Sequence, residues 1–190
     1  MPIEYINRRN DKYYLKTAPT KNGKIQYCAV TNIQKINPDD LVEEIPSGYE
    51  FYEDPKEARV YFRKIPVYNI SDEEVEIVDS VMRNHETVSD YIIDKGVNEI
   101  TVYISRMIDY DDDIVPGFKE RLYRYRRYED DLKFGKESKK SKRYTAQRFC
   151  YRSGVDDWII MERSNDLRYL AEKYCCHIDK ESLYDFGVGW

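Results

Sequence analysis

The feature that most constrains this chain is its punctuation: pairs of short β-prone runs, each pair closed by turn-forming residues and followed by a helix signal. In residues 11–31, Tyr13, Tyr14 and Leu15, then Ile25, Tyr27 and Ala29, flank Asn22-Gly23, a dipeptide that accepts the positive φ of a type I′ hairpin turn. Asn37-Pro38-Asp39-Asp40 places a cap, a first-turn proline and two acids at the positive end of a helix dipole, predicting a short helix to about Glu44. Ile45-Pro46-Ser47-Gly48 stops it. A second hairpin is predicted from residues 49–53 and 58–65, which alternate apolar and polar around Asp54-Pro55-Lys56-Glu57. Ser71-Asp72-Glu73-Glu74 is a capping box ahead of Val75, Val78, Val81 and Met82, which share one helical face.

The pattern continues. Residues 88–93 and 99–105 read as a third strand pair, joined through Lys95-Gly96-Val97-Asn98. After Pro116-Gly117, the spacing of Phe118, Leu122, Tyr125 and Leu132 predicts a helix over about 116–133, with Gly135 as its stop. A lysine-rich linker, 136–142, leads to a fourth strand pair, 143–151 and 157–161, around Ser153-Gly154, and Leu167, Leu170, Ala171 and Tyr174 mark a last amphipathic helix. Hairpins alternating with helices favour an α+β fold over a doubly wound parallel sheet. The expectation is a mostly antiparallel sheet built from repeated hairpin-helix units, helices on one face, in two pseudo-symmetric halves. At 190 residues this reads as one domain, 1–190, with a loose arm at 1–10 and sub-units of about 11–105 and 106–190.

Composition narrows the class. With 41% hydrophobic and 35% charged residues, the chain is too apolar to be disordered and carries a heavily ionised surface. Nineteen tyrosines against six phenylalanines suit half-buried strand positions, where the ring packs and the hydroxyl stays wet, and equally a tyrosine-lined binding surface. The opening residues lack a basic segment followed by an apolar one, and no stretch approaches the ~20 apolar residues that span a bilayer. The expected location is the cytoplasm, with no membrane partner and with Cys28, Cys150, Cys175 and Cys176 as reduced thiols.

Three stretches, 148–159, 177–186 and Ile45-Pro46-Ser47-Gly48-Tyr49-Glu50, resemble a family of uncharacterised bacterial proteins. The resemblance implies no activity and no functional residues.

Charge is segregated along the chain. Between Gly117 and Arg152 thirteen basic residues face five acids, a net of +8 in a chain whose total is −5, which leaves −13 elsewhere. Interleaved with Tyr123, Tyr125, Tyr128 and Tyr144, such a stripe has the cations for phosphate contacts and the rings for base stacking. The candidate binding residues are Arg121, Arg124, Arg126, Arg127, Lys139, Lys140, Lys142 and Arg143. The plainer reading is a solvated helix and linker neutralised by the chain's own acids, such as Asp109, Asp111, Asp112 and Asp113.

Other chemistry is thinner. The acidic run 109–113 lacks the glycine and the twelfth-position Glu of an EF-hand loop. Cys175-Cys176-His177 has soft ligands but no spaced chelating pair, so no metal is expected. Only His85 and His177 are available as histidine bases. Pro38-Asp39-Asp40 is similar to the opening of a restriction-nuclease core, but no acid-x-Lys strand follows, and a helix cap explains it. Asp156-Asp157-Trp158 reads as a turn end and a core anchor, or as the rim of a pocket. Glycines occur singly at turns, giving no phosphate loop and no cofactor expectation. The reading is therefore a non-enzymatic binding protein that meets an anionic partner, an acidic protein or a nucleic acid, through the basic segment 119–143. The alternative is a hydrolase or nuclease-like enzyme whose acids converge only in the fold.

Overall fold

The computed structural model describes residues 1–105, 116–152 and 155–186. The acidic run 109–113 and the Ser153-Gly154 turn lie outside the described residues. In chain order the strands are β1 (Glu4–Ile6), β2 (Lys12–Pro19), β3 (Ile25–Val30), β4 (Tyr49–Glu53), β5 (Val60–Lys64), β6 (Tyr91–Lys95), β7 (Glu99–Ser105), β8 (Tyr128–Lys136), β9 (Tyr144–Arg152) and β10 (Val155–Ser164). The helices are α1 (Asp72–Met82), α2 (Phe118–Arg124) and α3 (Leu167–Cys175), with single 3-10 turns at Ile33–Lys35, Pro38–Asp40 and Glu181–Asp185. Among the described residues all strand pairs are antiparallel, and the α+β expectation holds. The described residues fall into two compact units, 1–66 with 116–126 and 67–105 with 127–186.

The first unit holds a three-stranded sheet, β1-β2-β3, and the β4-β5 hairpin. The arm expected to be loose is instead strand β1, in register with β2. In the β2-β3 hairpin the loop is one residue longer than a type I′ turn. Thr20 and Lys24 close it (Thr20 N to Lys24 O, 2.7 Å), Gly23 N donates to Thr20 O at 2.9 Å, and only Gly23 takes a positive φ. One left-handed residue after a right-handed turn is the three-residue solution, and glycine fills it without strain. The helix expected over 37–44 is a single 3-10 turn, because Leu41 turns extended and bridges Lys16 while Val42 N donates to Leu15 O at 3.0 Å. Aromatic rings knit the unit together. Tyr49 and Phe62 stack (5.5 Å), Phe51 meets Phe62 edge-on (5.0 Å), and Tyr27 contacts both Tyr49 and Phe62.

The second unit is a five-stranded sheet, β10-β9-β8-β7-β6, with α1 and α3 on one face. Ile100, Val102 and Ile104 of β7, Leu132 and Phe134 of β8 and Ala146 of β9 alternate onto that face and meet Val78, Met82, Leu170, Ala171 and Tyr174. The capping box at Ser71 is present in full: Ser71 Oγ accepts from Glu74 N, and Glu74 Oε2 accepts from Ser71 N.

The largest departure from the sequence reading lies in 116–133. The helix stops at Arg124, and Tyr128–Lys136 is a central strand. Helix α2 buries no residue, so nothing rewards its extension, whereas Leu132 and Phe134 at period two are wholly buried between β7 and β9. The basic stripe therefore does not run along one element, and its cations fall on both units. Among the described residues no helix is long and apolar enough to cross a membrane.

Candidate anion-binding cleft

On the first unit, residues 7–11 form a tight loop organised by the buried side chain of Asn7. Its Oδ1 accepts from Arg9 N (3.0 Å) and Asp11 N (2.8 Å), and its Nδ2 donates to Ala58 O (2.8 Å). Asn10, at φ 64°, takes the left-handed conformation that asparagine tolerates. The loop presents two adjacent arginines toward α2. Arg8 anchors it, donating to Glu53 Oε1 (2.8 Å), Asp54 O (2.9 Å) and Pro55 O. Arg124 of α2 donates to Arg9 O and Asp11 Oδ1.

The result is a cleft of about 650 Å³ lined by Arg8, Arg9, Lys119, Arg124, Arg126 and a single acid, Glu120, with Asn10 and Tyr123. Glu53 balances Arg8 and Asp11 balances Arg124. Arg9 has no such balance. Its guanidinium makes no hydrogen bond or ion pair among the described residues, and its Nε is shielded from water. Two guanidinium groups share one ring: Arg9 lies 5.7 Å and Arg124 5.5 Å from the centroid of Tyr125. A shielded donor without an acceptor beside a second cation is relieved by an anion, whose oxygens accept in the guanidinium plane.

The predicted residues separate accordingly. Arg124 and Arg126 line this cleft; Arg121 is exposed on the same helix but does not. Arg127 lies on the second unit, exposed just before β8, and Lys139, Lys140, Lys142 and Arg143 are exposed on the β8-β9 connection of that unit. Three further cations of the stripe are absorbed by the fold. Arg148, 3% exposed, donates to Tyr184 O and Phe186 O, each at 2.9 Å. Lys136 pairs with Glu74, and Lys133 pairs with Glu99 and covers Trp158. Trp158 itself packs edge-on against Phe149 and is half-buried, outside the helix-covered core. The sequence reading missed Arg8 and Arg9. Their signal was available as Arg8-Arg9-Asn10, two cations before a residue suited to a left-handed turn.

The second unit brings both histidines to one cavity of about 720 Å³, with Cys175, Cys176 and Ser182. His177 Nδ1 lies 2.8 Å from Ser182 Oγ, and His85 Nδ1 accepts from Thr87 N and Val88 N, which closes the turn after α1. Burial pushes the Cys175 thiol well above its usual range, so it is inert, while Cys176 is exposed. The carboxyl groups of Glu4, Glu73, Glu74 and Glu162 are all held below their ordinary value. Hydrogen bonds from Lys12 do this at Glu4, from Ser71 at Glu73 and from Lys173 at Glu162; at Glu74, burial raises the carboxyl but donors from Lys136, Tyr144 and the Ser71 amide outweigh it. Among the described residues no three His, Cys, Asp or Glu side chains are grouped to hold a metal ion.

No family model, no curated protein and no solved structure matches this chain.

Proposed function

We propose that this protein binds an anionic macromolecular partner, an acidic protein or a nucleic acid, without turning it over, and that the contact centres on the Arg9-Lys119-Arg126 cleft of the first unit. The observation that carries the reading is Arg9: a guanidinium without an acceptor among the described residues, in a cleft with one acid among its lining side chains. The exposed cations Arg121, Arg127, Lys139, Lys140, Lys142 and Arg143 extend the basic surface on either unit and steer association, although the chain's charge of −5 limits attraction at long range.

The test is fluorescence anisotropy with three end-labelled probes: inorganic polyphosphate, polyglutamate and a random single-stranded 20-mer. Four phosphate contacts give a log–log salt slope of about −3 on a single strand. Arg9→Ala weakens binding at least about tenfold, the effect of losing one charge-assisted bidentate contact. Absent or salt-insensitive binding, or an unchanged affinity in Arg9→Ala, overturns the proposal. Preference for polyglutamate over the 20-mer identifies a protein partner, and the reverse identifies nucleic acid.

A further inference from the structure

A different cavity on the first unit, of about 610 Å³, is lined by the aromatic residues Tyr13, Tyr27, Tyr61 and Phe62 and three cations, Lys16, Lys35 and Arg59, with no carboxylate among its described lining residues. Elsewhere on this unit four cations are ion-paired: Arg8 with Glu53, Lys12 with Glu4, Arg63 with Glu50, Arg124 with Asp11. Lys16, Lys35 and Arg59 have no ion-pair partner among the described residues. Three cations therefore share one cavity with no acid among its described lining residues. Its aromatic residues are the second feature of the cavity. Tyr27 and Phe62 are held in the interlocked aromatic cluster, 5.8 Å apart, which fixes the backbone of β5 beside Tyr61. Tyr61 is 42% exposed, with the Arg59 guanidinium 5.2 Å from its centroid, which leaves a stacked ring-cation pair open at the mouth.

We propose that this cavity is a nucleotide site: the base stacks on the Tyr61-Arg59 pair, and the phosphate is taken by Lys16 and Lys35. Cations alone would serve any small anion. The exposed Tyr61 ring with its stacked guanidinium adds preference for a flat π-system joined to that anion, because stacking on aromatic side chains works for every base while phosphate oxygens need the lysines. The lining residues are disjoint from those of the Arg9 cleft, so the site does not rest on the polyanion reading.

Isothermal titration of the full chain tests it with AMP, adenosine, ribose 5-phosphate and a single-stranded adenylate hexamer. AMP binds, and adenosine and ribose 5-phosphate each bind at least tenfold more weakly. Tyr61→Ala and Lys35→Glu, both at exposed positions, keep the wild-type circular dichroism and melting curve and weaken AMP at least fivefold, while Arg9→Ala leaves AMP affinity unchanged. A hexamer tighter than AMP identifies a nucleic-acid strand as the source of the nucleotide, and equal affinity per site identifies free nucleotide; both support the proposal. No binding of AMP or hexamer, ribose 5-phosphate as tight as AMP, or full affinity in Tyr61→Ala overturns it. Loss of polyphosphate binding in Arg9→Ala with AMP binding intact, or the converse in Tyr61→Ala, tells a failure of one site from a failure of the other.

Discussion

Glu74 carries the clearest stability consequence in the molecule. Its side chain is 12% exposed and meets Lys136 Nζ, itself 8% exposed, at 2.6 Å. It also accepts from Ser71 N at 2.7 Å and from the Tyr144 hydroxyl, while Lys136 Nζ makes a second bond to Asn69 O at 3.1 Å. Glu74→Gln leaves one acceptor oxygen where Ser71 N uses Oε2 and Tyr144 and Lys136 use Oε1, and it removes the charge opposite a buried ammonium. Breaking a buried pair in this way costs about 3–5 kcal/mol. In a chain of 190 residues that lowers Tm by roughly 6–20 °C. Lys136→Met alone is also destabilising, but the double variant recovers at least about half of the Glu74→Gln loss, because no unpaired charge remains. Urea unfolding followed by tryptophan fluorescence reads this directly, since Trp158 lies in the same sheet. A Glu74→Gln loss below about 1 kcal/mol would mean that the pair behaves as a solvated surface bridge and that the reasoning is wrong. The pH dependence has a definite sign. Although burial opposes it, the Lys136 and Tyr144 hydrogen bonds hold the Glu74 carboxyl below its ordinary 4.5 in the folded state. Its contribution is therefore complete above about pH 4.5 and is lost as pH falls through the lower folded value. Glu74→Gln lacks that component of acid destabilisation.

Replacing Lys139, Lys140, Lys142 and Arg143 together by Ala leaves stability within about 0.5 kcal/mol, as these positions are exposed, and reduces the association rate for polyphosphate more than Arg9→Ala does, with the smaller effect on dissociation; stopped-flow fluorescence separates the two. Titration with a thiol reagent under native conditions modifies Cys176 fastest and leaves Cys175 untouched until the chain unfolds, because burial and the neighbouring Cys176 both raise the Cys175 thiol; early loss of Cys175 would contradict its packing in the core.

Local chemistry was legible wherever a few adjacent residues decide the outcome. Ser71 to Glu74 makes its capping box within four residues, and Leu167 to Tyr174 presents its buried stripe at helical spacing. The reading failed where a distant strand decides. From Phe118 to Leu132 a helical period and a strand period are both present, and what chooses between them is the open place between β7 and β9 that only Leu132 and Phe134 can fill. The turn at Pro38–Asp40 failed for the same reason. Its continuation is captured by backbone bonds to Leu15 and Lys16, more than twenty residues earlier.

The charge count misled in a more instructive way. A tally along the chain gives every lysine and arginine one positive unit at the surface, but three of those in the stripe have been withdrawn: Arg148 by two carbonyls of the last 3-10 turn, Lys136 by Glu74, and Lys133 by Glu99 and Trp158. None of these partners is a sequence neighbour. Conversely, Arg9 counted for nothing in a segment without periodicity, and it gains its character from α2, more than a hundred residues later, which occupies its carbonyl and brings a second guanidinium onto Tyr125. Unbalanced charge is thus a property of the fold's ion pairing and not of composition. The cations worth testing are those left over after the pairing is done, Arg9 in one cleft and Lys16, Lys35 and Arg59 in the other.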